Sequence, residues 1–507
     1  MTPSVSTFTC RPQRRLWGVH SILALASLLV LPALSPGFAD ANSSERDQAL
    51  KRAAESVEKA TPKAAADRTR PIFHLASPAN WINDPNGPLY YKGQYHLFYQ
   101  HNPYADGWEN MHWGHWVSSD LAQWEHLPIA LWPSKSEGED HCFSGCATVT
   151  PSGRPLIFYT SIGKREPHCW IAEPEDDSLI KWRKTAGNPV LTESSLNVKY
   201  YDFRDPYIFR EAGKTYMVHG GNLNQARGGQ ACVSLFEALD PNLKQWQFKS
   251  ILFKDPTSAN IECPNFFRVG KDWILITSPH RRCDYFIGEF DAHSGTFTAR
   301  SKGVVEATDA FYAPNTLQDP SGRWLMWGWI RGFKGGLGWN GCMTLPRVVS
   351  VKDGLLIQKP APEVTKLRSR ITSAPSARVN GLAPLPGIGG RTLEISTRFD
   401  LQTARSAGLL VRASADGRRG IPIVFDGEFL TVDKVKMPLP DGLSKTSMDV
   451  RIFLDNSVLE VYAAEGALCL SRVIAPDDGD AHVIRVSHEG ATMFHTVQAW
   501  PMRSTWK

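Results

Sequence analysis

The sequence predicts an all-β chain, a five-bladed β-propeller followed by a C-terminal β-sandwich. Three observations carry this. Residues 71–360 consist of short aromatic and β-branched runs broken by Gly, Pro, Asn and Asp, the texture of strands and tight turns. Within them a strand, Gly turn, strand unit recurs five times, starting at Asp84, Ser144, Asp205, Glu262 and Ala313, at intervals of 51–61 residues. Five such units fit five four-stranded blades. Beyond Pro360 the aromatic density falls and short runs alternate apolar with polar residues, which suits strands with one buried face.

Residues 1–39 read as an export signal. Arg11, Arg14 and Arg15 precede an apolar run from Ile22 to Leu34 that is short for a bilayer span, and Gly37-Phe38-Ala39 offers a small-residue cleavage site. A secreted or periplasmic protein is expected, with no membrane contact once the signal is removed. Residues 40–70, rich in Ala, Lys, Glu and Arg and without aromatic residues, read as a solvated arm, partly helical. The propeller follows over 71–360, then a linker over 361–390 whose Ala383–Gly390 stretch is a Pro- and Gly-rich loop, then the sandwich over 391–507. Sandwich strands are expected at Leu393–Phe399, Gly408–Arg412 and Ser457–Tyr462.

Composition narrows the partners. The net charge of the 507 residues is only +5, and removal of the signal takes three cations with it. That leaves no electrostatic footprint for nucleic acid. The 17 Trp suit both propeller cores and stacking on sugar rings. Of nine Cys, Cys10 lies in the signal. The other eight are scattered, which argues against a disulfide framework, although Cys142, Cys146 and Cys169 are near enough in sequence for a bridge. His112-Trp-Gly-His115 has the short spacing of a metal pair, but nothing completes a ligand set. Neither a metal nor a cofactor is expected.

Alignment of the five units places Asp84, Asp205 and Glu262 at one shared position, the start of the first strand in units one, three and four. First strands line a propeller's axis, so three carboxylates would converge at one mouth of it. Clustered carboxylates repel, and stability does not call for them. Glycosidic cleavage does, because it needs a nucleophile and a general acid with separated pKa values.

Trp81-Ile-Asn-Asp84-Pro-Asn-Gly87, Phe203-Arg-Asp205-Pro206 and Glu262-Cys-Pro264 closely resemble the signatures of glycoside hydrolase family 32, the invertases, levanases and inulinases. Leu97-Phe-Tyr-Gln100, Met111-His-Trp-Gly-His115, Phe143-Ser-Gly145 and Phe311-Tyr-Ala313 resemble it too. So does Leu454–Tyr462 in the sandwich. The resemblance implies a retaining, exo-acting β-fructofuranosidase acting on sucrose or a fructan. It implies Asp84 as nucleophile, Glu262 as acid/base with a pKa raised by burial and neighbouring carboxylates, and Asp205 as transition-state stabiliser. It implies a fructose pocket shaped by Asn83, Gln100, Trp108, Phe143, Ser144, Arg204 and Trp329. The family often carries Asp or Gly where this chain has Asn265, next to the acid motif but outside the triad. Alternatives are a fructosyltransferase of the same family, an endo-acting fructanase and, from another class, a non-catalytic carbohydrate-binding protein.

Overall fold

Five antiparallel sheets are arranged as the blades of a propeller in the computed structural model, which describes residues 37–223 and 230–507. The first strands of the blades are Asn80–Tyr91, His141–Val149, Tyr201–Glu211, Glu262–Val269 and Phe311–Gln318. Each begins within a few residues of a predicted unit start. Each pairs with the next strand through a Gly turn, and successive first strands pack on one another. The ring closes where Trp339–Asn340, following the fifth blade's second strand, pairs in parallel with Asn80–Trp81 of the first. The blades are held by aromatic packing between sheets: Trp113, Trp116, Trp124, Trp182 and Trp327 are all fully buried.

One local feature repeats in every blade. The ladder between first and second strand slips by one residue between Ile82 and Pro85, Cys142 and Gly145, Arg204 and Tyr207, Glu262 and Asn265, and Tyr312 and Asn315. Each slip is a β-bulge, a device that re-aims side chains beside functional sites. It also corrects the expected equivalence of the carboxylates. Glu262 is the last residue before its bulge, Asp205 the first residue within its own, and Asp84 the second. They stand at successive, not identical, strand positions. Asp205, Cys263 and Ala313, which do share a position, all have left-handed φ values of 45–56°. Unit spacing does not fix strand position to the residue, which is why the alignment was off by one for Asp84 against Asp205 and by two against Glu262.

Residues 372–501 form the second module. Its strands are continuous through hydrogen bonds and close over one apolar core that includes Ile395, Leu409, Ile423, Ile452, Val461 and Leu470. The Pro- and Gly-rich segment expected as a loop is instead part of the strand Ala377–Gly389, paired with His482–Phe494. A register shift between Pro384 and Gly389 absorbs the residues that cannot join the ladder. Before it, Pro362–Leu367 forms a short 3₁₀ turn.

The predicted arm is a helix, Gly37–Ala66, as its Ala, Lys and Glu content favours. It is not wholly solvated. Ala53 and Ala64 are fully buried, and Val57 and Ala60 pack with Trp339 of the ring-closing strand and with Phe333 of the loop before it. Residues 1–36 of the expected export signal lie outside the described residues. Among the described residues no helix is long and apolar enough to cross a membrane. The eight Cys beyond the signal are all buried and unpaired, Cys142, Cys146 and Cys169 included. His112 and His115 each give one ring nitrogen to a structural contact, the Asn110 carbonyl at 2.6 Å and His96 at 3.0 Å. No metal-binding cluster is present among the described residues.

Candidate active site

A cavity of about 430 Å³ opens at the mouth where the bulges lie, within the size range of small-molecule pockets. Asn83, Asp84, Gln100, Trp108, Phe143, Ser144, Arg204, Glu262 and Trp329 all line it. These include every residue expected to shape the pocket. Asp205 sits just beneath, 3% exposed. Its Oδ2 accepts from the Cys263 amide at 2.8 Å, and the Cys263 thiol lies 3.5 Å from both Asp205 Oδ2 and Asp84 Oδ2. One small side chain therefore spaces two of the acids.

A slightly larger cavity, about 480 Å³, lies at the opposite ends of the first strands. Its acids Glu211 and Asp319 are paired with Arg268 and Arg323. It offers no converging carboxylates.

Hydrogen bonds fix the site. Asn83 Nδ2 donates to Asp84 Oδ1 at 2.9 Å, and the Ser144 hydroxyl donates to Asp84 Oδ2. Behind them Trp81 Nε1 donates to Asn83 Oδ1 and Gln100 Nε2 to Ser144 Oγ, both at 2.8 Å. Every group that orients Asp84 is thus itself oriented, as a reacting centre requires. The Asp205 amide donates to Thr160 Oγ1 at 2.7 Å. Asp205 Oδ1 is buried with no protein partner. A buried lone acceptor is costly unless something donates to it, and a sugar hydroxyl is a suitable donor.

Glu262 is the most heavily contacted of the three. Arg204 Nη1 lies 2.8 Å and His280 Nε2 3.2 Å from Oε1, and the Tyr312 hydroxyl donates to Oε2 at 2.8 Å. Burial raises its pKa, but Arg204, His280 and Tyr312 together outweigh burial and hold it down at about 2. This corrects the expected elevation: three donors favour the charged form more than the cavity wall disfavours it. Burial raises Asp84, against the bonds from Ser144 and Asn83. Burial, with Glu262 and Asp84 adding to it, brings Asp205 up to about 6 despite Arg204.

His280, Tyr312 and Arg331 line the same cavity and were not assigned from sequence. Tyr312 lies in the Phe311-Tyr-Ala313 segment, so a signal for it existed. His280 follows the end of a strand and carried none. Arg331 lies over the Tyr312 ring, 4.7 Å from its centroid, and pairs with Asp309.

Comparison with known proteins agrees with this geometry. Residues 74–360 match the glycosyl hydrolases family 32 N-terminal domain, and residues 363–501 match the family's C-terminal domain. The chain is 31% identical to a raffinose invertase of Escherichia coli, over 80% of this chain and 89% of that one. It is 30% identical to a levanase of Bacillus subtilis, over 86% of this chain and 71% of that one. A β-fructofuranosidase structure from Bombyx mori superposes with a TM-score of 0.77 at 28% identity, over 91% of this chain and 99% of that one. The fructan 1-exohydrolase IIa of Cichorium intybus shares the fold, with a TM-score of 0.79 at 23% identity, over 86% of this chain and 98% of that one. Both family domains are matched in order over most of its length, and the chain belongs to glycosyl hydrolases family 32.

Proposed function

We propose that the enzyme is a retaining, exo-acting β-fructofuranosidase that hydrolyses terminal β-D-fructofuranosyl residues of sucrose or fructans. The convergence of Asp84, Asp205 and Glu262 on one sugar-sized cavity carries this reading. The relatives named raffinose invertase and levanase act, by their names, on such fructosides. Asp84 attacks the anomeric carbon of fructose and forms a covalent intermediate. Glu262 protonates the departing oxygen and later deprotonates the attacking water. Asp205 Oδ1 accepts from a fructose hydroxyl and stabilises the positive charge that develops on the ring.

Exo-attack is supported by the cavity floor. Below Asp205 the axis narrows to a void of about 10 Å³, closed by Asn265 and Asn315, whose side chains are bonded to the Pro314 and Gly145 carbonyls. A pocket with a floor accepts a chain end. Other relatives are named sucrose-6-phosphate hydrolase, but the cavity's Arg331 is engaged by Asp309 and Arg204 by the acids. That favours an unphosphorylated sugar, consistent with export by the N-terminal segment. Early products from sucrose, levan and inulin test the reading. Free fructose released first, in the β configuration by rapid NMR, is expected. A ladder of oligosaccharides or α-fructose overturns it.

A further inference from the structure

The surroundings of Glu262 pose a chemical problem. An acid that protonates a leaving group must carry a proton, yet Arg204, His280 and Tyr312 all stabilise its anion. Arg keeps its protons at any working pH. Tyr312 is driven further from ionisation by burial and by Glu262. Of these three neighbours, His280 is the one whose ring exchanges a proton near neutrality.

Its placement is specific. His280 adopts a left-handed φ of 62°, uncommon for a residue with a side chain and typical of functional sites. Its amide donates to the Tyr312 hydroxyl at 3.0 Å, so the tyrosine that clamps Glu262 Oε2 also anchors the His280 backbone. The ring presents Nε2 to Glu262 Oε1, while its side chain is 45% exposed and can re-equilibrate with solvent. Facing it are Glu262 and, from the third blade, Arg204 and Asp202. Arg281 is turned away onto Asp284 and Asp255, and Arg331 is held by Asp309.

We propose that His280 is the proton reservoir of Glu262, a positioning residue that stores on Nε2 the proton delivered to the departing oxygen. This rests on the reading of Glu262 as acid/base. In the first half-reaction the Nε2–H bond breaks, its electron pair stays on the imidazole, and the proton joins Glu262 Oε1. The acid passes it to the glycosidic oxygen, which takes the electron pair of the breaking carbon–oxygen bond while Asp84 bonds to the carbon. In the second, water gives a proton to Glu262 as its oxygen bonds to the carbon and Asp84 departs with its electron pair. The proton then returns to His280. Water is the one reagent consumed. The hydrogen bond to Glu262, the largest influence, raises the pKa of His280 above the ordinary imidazole value despite burial and Arg204.

The test uses His280→Gln and His280→Gly, the latter suited to the left-handed backbone. With sucrose, the alkaline limb of kcat/KM is expected to move down by about one pH unit or more, because Glu262 must then hold its own proton beside Arg204. At neutral pH kcat should fall about tenfold or more with little change in KM. An aryl fructofuranoside with an acidic leaving group should be largely spared. Imidazole added to the Gly variant should restore part of the rate. An unmoved alkaline limb, or equal losses on both substrates without rescue, overturns the proposal. Failure of the site reading itself is distinguishable, because it would appear as turnover in Asp84→Ala and Glu262→Ala. If those two are inactive and the limb is unmoved, the reservoir alone falls.

Discussion

Arg204 Nη1 lies 2.8 Å from Glu262 Oε1, while its Nε lies 3.3 Å from Asp205 Oδ2. One guanidinium therefore joins two acids from neighbouring blades. It also lies over the Phe143 ring, 5.1 Å from the ring centroid. Arg204→Gln removes the cation that holds Glu262 low. The acid/base pKa should rise, the alkaline limb of the kcat/KM profile should move to higher pH, and kcat should fall by about 10²–10³. Steady-state kinetics across pH check this. An unchanged alkaline limb would mean that Arg204 does not control Glu262.

The two reacting carboxylates should separate kinetically. Asp84→Ala should abolish turnover on every fructoside, because no covalent intermediate can form. Glu262→Ala should lose about 10²–10⁴ on sucrose but much less on a substrate whose leaving group needs no proton. Both variants should keep the wild-type far-UV spectrum. Near wild-type rates in Asp84→Ala would refute the assignment.

Much of this site was legible in the sequence, for a physical reason. Carboxylates at the starts of first strands have to point at a propeller's axis, and the intervals between Asp84, Asp205 and Glu262 carry that message without a structure. The β-bulges were not legible, since a one-residue slip leaves no compositional mark. His280 was hidden for a related reason: a loop histidine becomes informative only once Glu262 is seen 3.2 Å away. The pKa of Glu262 was misjudged because burial was foreseen and three converging donors were not. In the sandwich, Ala383–Gly390 looked like a loop because Pro and Gly discourage strands, yet pairing with His482–Phe494 overrides that preference.

The wall of the pocket depends on a tie between two loops. Asp106 Oδ2 accepts from the amides of Gly336 and Gly338 at 2.7 and 3.2 Å. It joins the loop that carries Trp108 to the loop beyond Arg331. Gly338 in turn faces Lys63 and Ala64 of the N-terminal helix. Asp106→Ala loosens this wall without touching the acids. KM for sucrose should rise about tenfold, the equivalent of one hydrogen bond to a charged acceptor, with kcat nearly unchanged. A loss confined to kcat would contradict a role in the wall.

The two modules are joined by a buried ionic chain, and its titration should set the protein's stability against pH. His74, fully buried, bridges Asp455 Oδ2 at 2.9 Å and Glu460 Oε1 at 3.0 Å. Glu460 continues to Arg347 at 2.9 Å, and Arg347 to Glu306 at 2.6 Å. Burial lowers the pKa of His74, but bonds to Asp455 and Glu460 outweigh it and raise the pKa to about 9. A folded-state pKa above the unfolded value of about 6.5 stabilises the fold fully below that value. The contribution is lost as pH rises through about 9, and amounts to about 3 kcal/mol. Glu460 behaves oppositely. Burial raises it, but Arg347, His74 and Tyr462 bring it down to about 2, so its contribution is present above about pH 4.5 and lost as pH falls towards 2. Stability should therefore peak between about pH 4.5 and 6.5. His74→Asn removes the cation, leaving buried Asp455 without a paired cation and Glu460 sharing Arg347 with Glu306, a loss of about 3–5 kcal/mol at neutral pH. Urea denaturation from pH 5 to 9.5 checks both claims. Wild type should weaken steadily above pH 6.5, and the variant should be weaker throughout with a flatter alkaline arm. Parallel curves for the two proteins would show that His74 carries no proton in the folded state.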